Sequence, residues 1–125
     1  MPRTRTAATL AAAAASLALA ACTPTAGTAP GATTIPDDAT IIDVRTAAEH
    51  ADARLDGAVL LDVSNGDLAA AIPQLDPHAP YLVYCRSGSR SAQAVALLRD
   101  AGFIDVTDLG SLEQAAATTG LEIER

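Results

Sequence analysis

The sequence predicts an α/β domain with a mainly parallel central sheet that is flanked by helices on both faces. Two observations support this class. Short β-branched or apolar runs alternate with stretches of helical character along residues 37–125, and this alternation is typical of parallel strands that are connected through helices. The clearest helical spacing, in residues 89–101, directly follows the apolar run at residues 81–84 and a short loop.

Each element of this sheet and its helices has a local signal. Five runs predict strands, the last of them a final edge: 40–44, 58–61, 81–84, 104–106 and 121–123. Four stretches predict helices: 46–53, 67–72, 89–101 and 111–118. Thr46 and Glu49 stand at the two positions of a capping box. Pro73 is expected to end the second helix, and Gly102 is expected to close the third.

The first 21 residues predict a secretory signal. Arg3 and Arg5 precede an apolar stretch at residues 7–21, which is shorter than the roughly 20 residues of a membrane span. Residues 19–22, Leu-Ala-Ala-Cys, resemble the lipobox of bacterial lipoproteins. That resemblance implies cleavage before Cys22, lipid on its sulfur, and a protein anchored to the bacterial cell membrane outside the cytoplasm. Ordinary cleavage and a retained anchor helix are the alternatives.

Residues 22–36 predict a flexible linker after the lipidated cysteine. Residues 23–36 are mainly Thr, Ala, Gly and Pro and carry no charge, so they offer little apolar surface for a core. A coil of that length would hold the domain roughly 20 Å from its anchor. Residues 37–125 are then expected to fold as one small domain.

The charge of the chain limits its partners. It has 8 basic residues, all of them arginine, against 15 acidic residues. Loss of Arg3 and Arg5 with the signal would leave 6 against 15, a net charge of −9. An acidic domain without a basic run is not expected to bind nucleic acid, because phosphate contacts need clustered cations.

Cys85 is the strongest candidate for a reactive group. It ends the predicted strand at residues 81–84, and Arg86, Gly88 and Arg90 follow before the helix develops. If Cys22 carries lipid, Cys85 has no partner for a disulfide within the chain. The helix N-terminus and the two arginines should favour a thiolate, which is the nucleophilic form, and should also hold a small oxyanion. The alternatives are an inert buried cysteine and arginines that are merely solvated.

Three segments together resemble the rhodanese-domain sulfurtransferases. Residues 85–91, Cys-Arg-Ser-Gly-Ser-Arg-Ser, are similar to the active-site loop of that family. Residues 41–58, with Asp-Val-Arg, Glu-His and Asp-Gly-Ala in order, are similar to its first motif. Residues 102–110 resemble its closing segment. The likeness covers residues 37–125 and therefore implies a single rhodanese-like domain.

The resemblance implies a reaction and its participants. Cys85 would take the outer sulfur of thiosulfate or a similar anionic donor and hold it as a persulfide. A thiol or cyanide would then accept that sulfur, and no metal or organic cofactor is needed. The donor would lie against the backbone and side chains of the loop: Arg86, Ser87, Gly88, Ser89 and Arg90.

Three other residues of the first motif have expected roles or positions. Asp43 and Arg45 are expected to support the loop structurally, since neither charge assists a thiol directly. His50 is expected on a solvated helix face.

The sequence departs from the family pattern at two points. The family often has a histidine before its Gly-Ala turn, in the region that Arg54 occupies here. It also often has a tryptophan near the closing segment, whereas this chain has none.

Two other functions are compatible with a reactive Cys85. Cysteine phosphatases place arginine six residues after the nucleophile, but Ser91 stands there in this chain and Arg90 comes one residue early. The shorter loop therefore favours sulfur over phosphate. A persulfide carrier or redox-sensing module would need the same loop as a turnover enzyme, and the sequence does not separate the two.

Overall fold

The computed structural model describes residues 34–125, and its elements alternate between strand and helix. In chain order they are β1 (Thr40–Asp43), α1 (Ala47–Asp52), β2 (Arg54–Leu55), β3 (Val59–Leu60), α2 (Asp67–Ala71), β4 (Tyr81–Cys85), α3 (Ser89–Asp100), β5 (Val106–Ser111), α4 (Leu112–Thr119) and β6 (Ile123–Glu124). A short 3₁₀ helix, Ile72–Gln74, continues α2 through Pro73.

The central sheet is parallel and has the strand order β3-β1-β4-β5. Its inner strands β1 and β4 lie side by side, with Ile42 opposite Val83. Every residue of β4 is buried. The strand is covered on both faces, so it is apolar throughout instead of alternating with polar residues.

Two buried clusters, one on each face of the sheet, form the core. On one face Val83 and Cys85 lie in a cluster with Leu98 of α3. On the other face Leu82 and Tyr84 lie in a cluster with Leu112 of α4. Alternate residues of β4 thus face opposite helices, and the predicted parallel sheet with helices on both faces is confirmed.

The helix α3 forms where it was predicted, although its buried face differs from the expected one. Leu97 is 39% exposed, while Ser91 and Val95 are buried. Gly102 follows the helix with φ +94, a left-handed conformation that glycine adopts easily. Its predicted closing role is therefore confirmed.

The C-terminal strands differ from their predicted bounds. The strand predicted at residues 104–106 begins only at Val106 and runs on to Ser111, and Ile104 is 73% exposed. The predicted final edge is shifted to β6, which pairs antiparallel with β2 outside the central sheet. A strand at β2 was not predicted, because two residues are too few to show a period.

The predictions for the N-terminal region fall mostly on residues that the structure does not describe. The signal at residues 1–21, the lipidated Cys22 and most of the linker at residues 22–36 lie outside the described residues. Ile35 packs against the cluster that contains Leu82, so packing begins two residues before the expected boundary at Asp37. Across residues 34–125, no helix combines the length and apolar character that crossing a membrane requires.

Candidate active site

Cys85 lies at the carboxyl end of β4, where the backbone turns into α3. Its relative exposure is 0%, and it forms no disulfide among the residues that the structure describes. Gly88 is the N-cap of α3 and has φ +100. A Cβ at this position would meet only Gly110 Cα, at 3.8 Å. The turn therefore needs glycine because of its conformation, and space alone would admit a larger residue.

The sulfur of Cys85 is held by the first turn of α3. The Gly88 backbone N–H donates a hydrogen bond to Sγ at 2.9 Å. The Cys85 thiol lies 3.6 Å from Ser91 Oγ, and the Ser91 hydroxyl donates to the Gly88 carbonyl at 2.9 Å. Ser91 is itself fully buried. The helix N-terminus thus directs one backbone donor at the sulfur, and the Ser91 hydroxyl oxygen lies beside it.

These contacts favour the ionised form of Cys85. Burial is the largest single influence and acts to raise the pKa of the thiol. The hydrogen bonds to the Ser91 side chain and to the backbone of Ser91, Gly88 and Ser87 act in the opposite direction and together outweigh it. The pKa of Cys85 is therefore lowered, as a nucleophilic cysteine requires.

The two arginines of the loop have different surroundings. Arg86 is exposed, as are Ser87 and Ser89. Arg86 also lines a cavity of about 220 Å³ beside the loop. Arg90 instead forms a two-point ion pair with Glu49 of α1, with N–O distances of 2.8 and 2.9 Å. Both arginines thus lie at the loop, but Arg90 already has a carboxylate partner in Glu49.

Glu49 has two roles in this arrangement. Its carboxylate accepts hydrogen bonds from the backbone N–H and the hydroxyl of Thr46, which completes the predicted capping box of α1. The hydrogen bond from Arg90 is the largest influence that holds the pKa of Glu49 down, at about 2. Glu49 therefore joins α1 to the first turn of α3.

Asp43 and Arg45 form a buried ion pair at the carboxyl end of β1. Arg45 donates to both carboxylate oxygens of Asp43, at 2.9 and 2.7 Å, and also to the Ala53 carbonyl. The Tyr84 hydroxyl donates to Asp43 Oδ2 at 3.0 Å and accepts from the Leu55 backbone N–H. Burial, as the largest influence, raises the pKa of Tyr84 to about 12. This network connects β1, β2 and β4 through Tyr84, which lies on the opposite face of the sheet from Cys85.

The expectation for His50 was wrong. Its Nδ1 lies 2.9 Å from Asp43 Oδ2, and its side chain is only 18% exposed. His50 is the fourth residue of α1, and that position turns the ring towards the carboxyl end of β1 and away from solvent. His50 thus belongs to the Asp43 network.

Sequence reasoning missed the part that Ser91 and Glu49 play at the site. Ser91 entered as the last residue of the resembling loop and as the replacement of a phosphatase arginine, and Glu49 entered as a capping residue and as part of the first motif; neither was assigned a contact at the site. Ser91 could have been found from its place as third residue of α3, since a side chain there leans back over the N-terminus of the helix. Glu49 and Arg90 are 41 residues apart, and no local pattern indicates their contact.

Comparisons with known proteins agree with this geometry. The family profile of the rhodanese-like domain matches residues 31–117. A crystal structure of the Alr3790 protein from Anabaena superposes with a TM-score of 0.62 at 31% identity, over 71% of this chain and 79% of that chain. A structure described as a rhodanese with anions, from E. coli, superposes with a TM-score of 0.57 at 25% identity, over 70% of this chain and 98% of that one.

A curated relative is much longer than the matched region. The probable adenylyltransferase/sulfurtransferase MoeZ of Mycobacterium tuberculosis is 39% identical over 71 residues. The match covers 54% of this chain but only 17% of that protein. The likeness therefore concerns one segment of the relative.

Proposed function

The chain belongs to the rhodanese-like family, and we propose that it is a sulfurtransferase that carries sulfur as a persulfide on Cys85. The main support is the environment of the Cys85 sulfur, which accepts the Gly88 N–H at 2.9 Å at the N-terminus of α3. The lowered pKa of the thiol gives a nucleophile without a separate base.

The proposed reaction has two transfers. The Cys85 thiolate attacks the outer sulfur of thiosulfate or a similar donor, and a sulfur–sulfur bond to Cys85 forms. The sulfur–sulfur bond of the donor breaks, and sulfite leaves with its electron pair. An acceptor thiolate or cyanide then attacks the outer sulfur of the persulfide, which restores the Cys85 thiolate. Two transfers through one covalent intermediate predict ping-pong kinetics.

The loop supplies the donor site in this proposal. Its exposed part, Arg86 with Ser87 and Ser89, would contact the anionic oxygens of the donor, while Gly88 gives the turn the left-handed backbone that it needs. The N-terminus of α3 adds partial positive charge. Charge-assisted hydrogen bonds of this kind suit a small oxyanion.

Replacement of Cys85 tests the proposal directly. We expect Cys85→Ala to abolish thiocyanate formation from thiosulfate and cyanide, because no other described side chain can hold the persulfide. Circular dichroism should show an unchanged fold. Cys22→Ala is the matched control and should retain the activity. Thiocyanate formation by Cys85→Ala at the wild-type rate would reject the proposal.

A persulfide carrier is the second candidate, and the complete burial of Cys85 is the observation that favours it. A carrier would form the Cys85 persulfide once and release its sulfur only to a fixed partner. Steady-state turnover with cyanide separates the two functions. A single equivalent of transferred sulfur, with no further turnover, would favour the carrier.

Phosphatase activity is not part of the proposal. The position that a phosphatase arginine would occupy holds Ser91, whose hydroxyl is bonded to Gly88, and Arg90 is paired with Glu49. Neither group is arranged to grip a phosphoryl group. Hydrolysis of an aryl phosphate that is lost in Cys85→Ser would contradict this view.

We also propose that the domain works outside the cytoplasm, attached to the cell membrane through lipid on Cys22. The support is the sequence alone, in the Leu-Ala-Ala-Cys motif at residues 19–22 and the basic and apolar segments before it. Cys22→Ala should release the protein from the membrane fraction. A wild-type protein that is already soluble after fractionation would contradict the anchor.

A further inference from the structure

The ion pair between Glu49 and Arg90 changes the charge that the loop offers to a donor. Both terminal nitrogens of Arg90 are bonded to Glu49 oxygens, and the two side chains are only 24% and 23% exposed. A bidentate pair of this kind is stronger than a single exposed contact. Two N–H groups of Arg90 are thus committed to Glu49, and the Glu49 carboxylate offsets the positive charge that Arg90 would offer to a donor.

A second carboxylate acts on the same guanidinium. Asp62 follows β3 and is 5% exposed, with one carboxylate oxygen accepting the Ser64 N–H at 2.7 Å. The Glu49 hydrogen bond is the main cause that raises the pKa of Arg90, and the charges of Cys85 and Asp62 act in the same direction. Arg90 thus lies in the field of two carboxylates and of Cys85, but only Glu49 is bonded to it.

The cavity beside the loop is also electrically balanced. Three guanidinium groups and three carboxylates line it, and they belong to Arg45, Arg86, Arg125, Glu49, Asp52 and Glu113. Arg45 is already paired with Asp43. Of the three carboxylates, only that of Glu49 is bonded to an arginine of the loop among the described residues.

We propose that Glu49 determines which charge of sulfur donor the site favours, by neutralising Arg90 and so disfavouring dianions such as thiosulfate relative to persulfides of neutral thiols, which carry at most one negative charge. This inference rests on the proposed function. With a persulfide R–S–S–H, the Cys85 thiolate attacks the outer sulfur, the donor's sulfur–sulfur bond breaks, and R–S⁻ leaves with the electron pair. The proton stays on the transferred sulfur, so charge and atoms balance.

Neutralisation of Arg90 by Glu49 should affect the binding of the donor. A dianion meets in Arg90 a guanidinium whose charge is already offset by Glu49, and the weaker attraction raises KM without a change in the chemistry at sulfur. A persulfide has no oxyanion for Arg90 to hold, and the form that Cys85 attacks, R–S–S–H, is uncharged, so the state of the ion pair matters little to it. The two donors should therefore respond differently to removal of the Glu49 charge.

Glu49→Gln is a suitable variant because glutamine also serves at this position of a capping box. It keeps one oxygen to accept from the Thr46 N–H, removes the negative charge, and replaces the other oxygen by an NH2 group that cannot accept from Arg90. Glu113→Gln is the matched control, since Glu113 lines the same cavity, is exposed, and forms no ion pair among the described residues. The donors to be compared are thiosulfate and the persulfide of 2-mercaptoethanol, with cyanide as acceptor.

We expect Glu49→Gln to lower the KM for thiosulfate about tenfold, the size of one charge-assisted hydrogen bond. The kcat for thiosulfate and the kcat/KM for the persulfide should stay within about twofold, as should every constant of Glu113→Gln. In the Arg90→Gln background, Glu49→Gln should no longer change the KM for thiosulfate. Such a double-mutant cycle separates coupling to Arg90 from a general structural effect.

Two results would overturn the role of Glu49. Equal changes of kcat/KM for both donors, or an unchanged KM for thiosulfate in Glu49→Gln, would reject it and leave the proposed function intact. If the wild type transfers sulfur from neither donor and Cys85 gains no sulfur, the proposed function fails, and the role of Glu49 fails with it.

Discussion

Two arginine–carboxylate pairs flank the strand end that carries Cys85, and they differ in burial and in number of partners. In the Asp43–Arg45 pair the side chains are 0% and 5% exposed, and Tyr84 and His50 also contact the carboxylate. In the Glu49–Arg90 pair the side chains are 23% and 24% exposed. The first pair is a fixed part of the fold, whereas the second can exchange partners with a ligand.

The difference follows from where each residue stands in the fold. Asp43 ends β1 in the middle of the sheet, where strands cover it on both sides, and a buried charge there must be fully bonded. Glu49 and Arg90 lie in the first turns of α1 and α3, at the rim of the carboxyl edge. A pair at a rim keeps part of its hydration, so separating it costs less than separating a buried one.

Loss of the buried pair should have the largest effect. Asp43→Asn would leave the Arg45 guanidinium as an uncompensated buried charge, so we expect a loss of about 3–5 kcal/mol in the free energy of unfolding. Urea denaturation measures it. The exposed pair Arg54–Glu124, at 38% and 45%, provides the control, since Glu124→Gln should cost less than about 1 kcal/mol. Equal costs for both variants would contradict the contrast between buried and rim pairs.

The Glu49–Arg90 pair at the rim should contribute an intermediate, pH-dependent amount to the free energy of unfolding. The pKa of Glu49 falls from 4.5 to about 2 on folding, so its ionisation stabilises the folded state above pH 4.5. This contribution, roughly 1–3 kcal/mol, is lost as the pH falls from 4.5 towards 2. The stability difference between wild type and Glu49→Gln should therefore shrink over that interval. A difference that stays constant from pH 6 to pH 2 would contradict the ion pair.

Removal of the Ser91 hydroxyl should have the smallest effect of the three. Ser91→Ala deletes a hydrogen bond that lowers the pKa of Cys85, so the pKa of the thiol should rise and the pH profile of alkylation should move to higher pH. At pH 7 the alkylation of the Cys85 peptide should slow by roughly threefold to tenfold. Thr107→Ala, which removes a hydroxyl at an exposed position of β5, is the control. An unchanged profile in Ser91→Ala would mean that the backbone N–H groups alone activate the thiol.

The sequence predicted the local parts of the site and missed the contacts between distant segments. The order β4, loop and α3 was predictable because an apolar run, Gly88 and a helical period follow one another without a gap. The pairing of Glu49 with Arg90 depends on how α1 packs against α3, which no local pattern encodes. The contact of His50 with Asp43 depends in the same way on how α1 leaves β1.

The prediction of the fold was limited in the same way. The parallel sheet and the order of strands and helices along the chain were predictable, because they depend on regular patterns such as the fully apolar β4. The β2–β6 pair was missed, since each strand has two residues and its partner is far away along the chain. Ile104 was placed in a strand because it is β-branched, but it is exposed, and the strand begins at Val106, where pairing with β4 buries the side chain.

The most direct test of the proposed function is the mass of the protein after exposure to a sulfur donor. We expect the Cys85 peptide to gain about 32 Da, the mass of one sulfur atom, on incubation with thiosulfate or with the persulfide of 2-mercaptoethanol. Cyanide should remove the added mass and release one equivalent of thiocyanate. A Cys85 peptide that stays unmodified with both donors, in a folded protein, would contradict the proposal that Cys85 carries sulfur.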